Sequence, residues 1–175
     1  MSLLPMADLQ FIPRPPRPGL YAASAVDVIP RALRALAVIF TPKNSIVWID
    51  AANQFNAHWV AHSARVFNKD AKSVLSAFNY ARPFTAFQLE TMVNHKLLPA
   101  MQKSRALFAV IAHPLWLYEE AQEQKYATQH SFDLFTAGLE RLAKEMSILL
   151  LLPPGKSTPY RRRLLQIAGP PLSKP

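Results

Sequence analysis

The densest chemistry in the chain is the run Tyr160-Arg161-Arg162-Arg163, with Lys156 just before it. Guanidinium groups pair phosphates bidentately, an ammonium adds a point charge, and a tyrosine ring can stack on a base. Lys156, Tyr160, Arg161, Arg162 and Arg163 are therefore the candidate nucleic-acid contacts, with a solvated basic turn as the plain alternative. Gly155-Lys156-Ser157-Thr158 resembles the end of a phosphate-binding loop. However, Leu150 stands where the first glycine belongs, and Pro159 is expected to interrupt the helix that such a loop opens. A flexible basic loop is expected instead. His58 and His62 have the spacing that lets two imidazoles share a metal on a helix, but Trp59 replaces the zincin glutamate and no third ligand is near. No metal or other cofactor is expected. Glu119, Glu120 and Glu123 are expected in a solvated polar loop. His113 ends an apolar run at a site-like position, and Asp50 ends another, where it is expected to accept backbone N–H groups at a helix start.

These residues need elements to hold them. Half of the 175 residues are hydrophobic, enough for one domain with a true core. The chain has no cysteine, which removes disulfides, thiolate metal sites and cysteine nucleophiles and suits a reducing cytoplasm. The apolar run Ile148–Leu152 is far shorter than the ~20 residues that span a membrane. No membrane association and a cytoplasmic location are expected. Net charge is +9, unevenly spread: +3 over residues 1–43, +1 over 44–155 and +5 over 156–175. Basic ends around a near-neutral middle attract polyanions, nucleic acid foremost.

The proline-rich run within residues 1–18 predicts an extended arm, residues 19–168 a folded domain, and 169–175 a tail. Strands are predicted at 19–24, 45–50, 76–81, 107–112, 147–152 and 164–168. Helices are predicted from Pro30 to Phe40, from Asn56 to Phe67, over 85–101 and over 129–145. Strands alternate with helices and the central strands are apolar on both faces. That predicts an α/β fold, a mostly parallel sheet with helices on both sides.

The stretch from Ile46 to Leu89 resembles the core of RecA/RadA-like recombinases. Trp48-Ile49-Asp50 followed by Phe55 is similar to that family's strand ending in a hydrophobic-Asp pair with a nearby Phe. Tyr80-Ala81-Arg82-Pro83-Phe84, then Gln88-Leu89, is similar to its Ala-Arg-hydrophobic motif with a following Gln. Later elements keep the family order over roughly residues 19–168, so the resemblance implies a RecA-like sheet. It also implies that the loop after the 147–152 strand is a DNA-contacting loop, which is where the basic run begins. Phe78-Asn79-Tyr80-Ala81 fits the family's F-x-x-A subunit-gripping pattern, but in a predicted core strand it is read as packing.

The departures concern ATP. Where the family has its phosphate loop, this chain has Ala22-Ala23-Ser24-Ala25-Val26-Asp27-Val28-Ile29-Pro30, with no glycine or lysine and one repelling carboxylate. Where the family ends a strand on a Mg²⁺-binding Asp, this chain reads Ala112-His113-Pro114. The expectation is a non-catalytic RecA-like accessory protein of DNA repair or recombination. Its expected partners are DNA and another RecA-like protein or repair factor. The alternative is a RecA-like interaction module without DNA binding, of the bacterial cell-division-inhibitor type. ATP with Mg²⁺ is expected to give no binding heat and no turnover. A micromolar dissociation constant by calorimetry, roughly −8 kcal/mol, would show that the first loop has been misread.

Overall fold

The computed structural model describes residues 17–39, 45–121 and 125–168. Most of the arm expected over 1–18, the tail 169–175 and Glu123 lie outside them. Five strands form one all-parallel sheet: β1 (Gly19–Ala23), β2 (Ile46–Asp50), β3 (Phe78–Ala81), β4 (Phe108–Ala112) and β5 (Ser147–Leu151). Their order across the sheet is β1-β5-β4-β2-β3. Every residue of β2, β4 and β5 is buried, which is why these strands read as continuous apolar runs rather than alternating ones.

Successive side chains of a strand point to opposite faces, and the two faces carry separate cores. Trp48, Phe108, Val110, Leu149 and Leu151 pack on one side against α1 (Val28–Ile39), α2 (Ala57–Val66) and α3 (Ala71–Ser76). Val47, Ile49, Ile111, Ile148 and Leu150 pack on the other against α4 (Ala86–Thr91), α5 (Leu97–Ser104), α6 (Leu115–Glu120), α7 (Lys125–Leu142) and α8 (Pro159–Ala168). The expected α/β sheet covered on both faces is the observed one.

Four local expectations change. Leu164–Ala168 is not a strand but the second half of α8. Pro159, with its preset φ, opens this helix rather than interrupting it, and Arg161 and Leu164, three apart, share its buried face. Ser76 ends α3, whose first turn is capped by Asp70 accepting from Ser73 N at 2.8 Å, so β3 starts only at Phe78. Glu119 and Glu120 end a helix, α6, because Leu115 and Tyr118 bury one of its faces. The helix expected over 85–101 runs on to Ser104 but passes through a π-helical turn, Met92–Lys96. The Asn94 carbonyl accepts from Arg141 of α7 at 3.2 Å, Pro99 five residues on having no N–H to offer it, while Asn94 Nδ2 donates to the Leu134 carbonyl at 3.2 Å. Gly138 of α7 lets the helices approach, since a β-carbon there would stand 2.4 Å from Asn94 Oδ1.

Phe135 sits at the centre of the second core, fully buried beside Tyr118 and Phe132. Phe135→Ala should lower unfolding free energy by about 3–5 kcal/mol, read as a drop in urea midpoint at unchanged slope. A loss below about 1 kcal/mol would mean that the α7 core is looser than described.

Candidate nucleic-acid interface at the carboxyl edge

In a parallel sheet the strand ends that face a site are the carboxyl ends, most of all where neighbouring connections leave toward opposite faces. β2 and β4 are such neighbours: the chain leaves β2 for α2 on the first face and β4 for α6 on the second. Asp50 and His113 stand at this divergence. Ladder bonds continue past the strands here, from Ala51 N to Ala112 O (3.1 Å) and from His113 N to Leu151 O (2.8 Å).

Asp50 is fully buried. Its two oxygens accept from Gln54 N at 3.0 Å and Phe55 N at 2.8 Å, and Oδ2 also accepts the Tyr80 hydroxyl at 3.3 Å. The sequence expectation of a backbone-accepting carboxylate is met, but one turn earlier than expected. The helix cap itself is Asn56, which accepts from His58 N at 2.9 Å. Asp50 instead ties down the loop that delivers that cap, and Asn53 within it takes a left-handed φ of 55°. Burial, and then the Asp50 charge, raise the Tyr80 phenol above its ordinary value.

His113 also holds a left-handed φ, 51°, and its Nδ1 is buried without a partner. Burial pushes its imidazole below the ordinary 6.5, opposed by the Glu119 charge and reinforced by Arg161. As pH falls below 6.5 the unfolded chain protonates first, so this residue makes the fold less stable on the acid side. His58 and His62 lie on α2, and no cluster of three His, Cys, Asp or Glu that could hold a metal occurs among the described residues.

The five basic-run residues do not act as one patch. Thr158 caps α8, accepting from Arg161 N at 3.2 Å and donating to Glu119 Oε1 at 2.8 Å. Arg161 is buried, 8% exposed, and its Nη2 donates to the Pro153 carbonyl at 2.6 Å. Gly155 makes room for it, because a β-carbon there would lie 3.0 Å from that nitrogen. The Tyr160 ring packs against Phe132 at 4.6 Å and Tyr118 at 5.9 Å, and burial followed by the Asp133 charge raises its phenol. Arg161 is thus held inside the fold, and the half-buried Tyr160 has its ring packed against the second core. The remaining three are exposed. Lys156 is in the loop, Arg162 donates to the Ser157 carbonyl at 2.9 Å, and Arg163 pairs with Glu140 at 3.4 Å across open surface, an ion pair of small worth. Helical spacing turns successive residues by about 100°, so three consecutive arginines had to split among core, loop and solvent.

The same edge carries a cleft of about 380 Å³ lined by Val26, Ile29, Phe55, Asn56, Trp59 and Pro153, among others. Sequence reasoning missed it, because it joins three separate connections and has no local signature. At the β1–α1 connection, Ser24 Oγ donates to the Leu152 carbonyl at 2.8 Å, and Asp27 pairs with Arg31 at 3.7 Å. No protein-family model and no curated protein matches the sequence.

Asp50→Asn keeps the volume but loses one acceptor and the charge, leaving a buried N–H unpaired. It should cost about 2–3 kcal/mol, whereas Tyr80→Phe, which removes only the 3.3 Å bond, should cost about 1 kcal/mol or less. Equal costs in urea unfolding would mean that the carboxylate does not anchor the loop.

Proposed function

We propose that this chain is a non-catalytic, RecA-like accessory protein that binds nucleic acid through the loop–helix junction following β5 and acts with a partner in DNA repair or recombination. The observation that carries the reading is the exposure of Lys156, Arg162 and Arg163 together at the junction of the 152–158 loop and α8. Phosphate contacts of this kind position a strand without reading its sequence. The order of elements supports the RecA-like part of the reading: Asp50 closes β2, Ala81 closes β3, and Gln88 follows on the next helix. The β1–α1 connection supports the non-catalytic part, since it offers a triphosphate neither glycine nor lysine and turns its serine hydroxyl to a neighbouring carbonyl.

A second reading, an interaction module without nucleic-acid binding, draws on the carboxyl-edge cleft, where Val26 is 89% exposed and Trp59 is 39% exposed. The two readings separate by salt. Binding through phosphates releases counterions at about 0.7–0.9 log units per log salt for each contact. Labelled DNA titrated at two salt concentrations should give a slope of roughly −2 to −3, and Lys156/Arg162/Arg163→Ala should flatten it by about 2. Arg161→Ala should instead destabilise the fold. A slope that the triple variant leaves unchanged removes the junction as the contact, and absence of binding at low salt favours the interaction module.

A further inference from the structure

At the far edge of the sheet, beyond β3, the surface has a composition that the α8 junction lacks. Phe84 is 67% exposed and Phe87 42% exposed. They share a groove of about 370 Å³ with Arg82, Gln88, Met92 and Lys96. The Arg82 guanidinium lies 4.8 Å from the centre of the Phe84 ring. Among the described residues, no carboxylate lines this groove. The one acidic residue of the segment 82–96, Glu90, accepts from Asn94 Nδ2 at 2.7 Å.

Hydrogen bonds tie the floor of the groove together. Phe84 N donates to Gln88 Oε1 at 2.7 Å, and Thr85 caps α4 by accepting from Gln88 N at 3.2 Å. Lys96 stands at the end of the π-helical turn that Asn94 pins to α7, and such turns are frequent at functional sites. Large apolar rings on a fixed surface lose free energy to water unless something covers them. The cover must carry negative charge to meet Arg82 and Lys96, and flat π-faces to meet two aromatic rings.

We infer that this groove binds single-stranded nucleic acid, with unpaired bases stacked on Phe84 and Phe87 and the backbone phosphates met by Arg82 and Lys96. A duplex hides its base faces inside its own stack, so the groove selects single strands. Stacking tolerates any base. The site is distinct from the α8 junction: the groove begins just after the edge strand β3, the junction follows β5, and β4 and β2 stand between those two strands.

The test is fluorescence anisotropy with a labelled oligothymidine and a duplex of equal length, at low salt, on the full chain. Phe84→Ala/Phe87→Ala should weaken the single strand about tenfold or more and leave the duplex unchanged. Arg82→Ala/Lys96→Ala should weaken both and flatten the salt slope of single-strand binding by about 1 to 1.5. All four side chains are exposed, and circular dichroism should show the fold intact. Single-strand affinity unchanged in the phenylalanine variant, or an equal loss on duplex, overturns the inference. So does displacement of the oligothymidine by polyglutamate as effectively as by unlabelled oligothymidine, which would assign the groove to an acidic peptide. Lys156/Arg162/Arg163→Ala, run alongside, keeps the two sites apart: loss there alone overturns this site and leaves the junction standing, and loss in the phenylalanine variant alone does the reverse.

Discussion

Because every strand is parallel to its neighbours, every connection must return from the carboxyl edge to the amino edge across one face of the sheet. That single constraint sets both cores. It puts α1 to α3 on one face and α4 to α8 on the other, and it buries the three central strands along their whole length. It also gathers five strand ends and their loops into one rim. Polar groups on that rim must find partners among the loops, and Asp50 shows how. Its carboxylate is affordable in a dry position because three donors converge on it.

The fold was legible where chemistry is local or repetitive. The runs at Ile46–Asp50, Phe108–Ala112 and Ser147–Leu151 could be read as buried strands because nothing polar breaks them except the terminal Asp50 and the initial Ser147. What failed was legibility at short range. The segment 164–168 has the apolar content of a strand and also of one helical face, and only Pro159 upstream decides between them. The π-helical turn was hidden for a different reason. Pro99 withholds an N–H from the helix there and marks the break locally, but the contact of Asn94 with α7, forty residues on, lies outside any window along the sequence. The candidate site was legible in its residue types but not in their directions. Arg161 looked like a ligand and is buried, and Tyr160 is half-buried against the second core, whereas Phe84 and Phe87 are exposed.

The basic charge of the chain is thus less concentrated than its sequence suggests. Five cationic residues and no acid lie beyond position 155, yet of the three arginines one faces a carbonyl inside the fold and another a glutamate outside it. Arg82 and Lys96 belong to no basic run, yet they stand in a groove with no carboxylate among its described lining residues. Local geometry, rather than charge count, decides where an anion meets a cation that is not already committed.

The pairing of β1 with β5 has a consequence in time. Ser24 and Leu152, whose hydrogen bond closes that end of the sheet, are 128 residues apart in sequence. On a ribosome adding about 5–20 residues per second, roughly 6–25 s separate the emergence of the two. Throughout that interval the first strand has no neighbour to complete its ladder, while β2, β3 and β4 can already pair with one another. The β1 ladder can therefore close only once β5 has emerged. Loop-closure entropy delays it again in refolding from denaturant. A chaperone or a nascent-chain partner meeting this protein during synthesis would find Gly19–Ala23 still open after most of the sheet has formed.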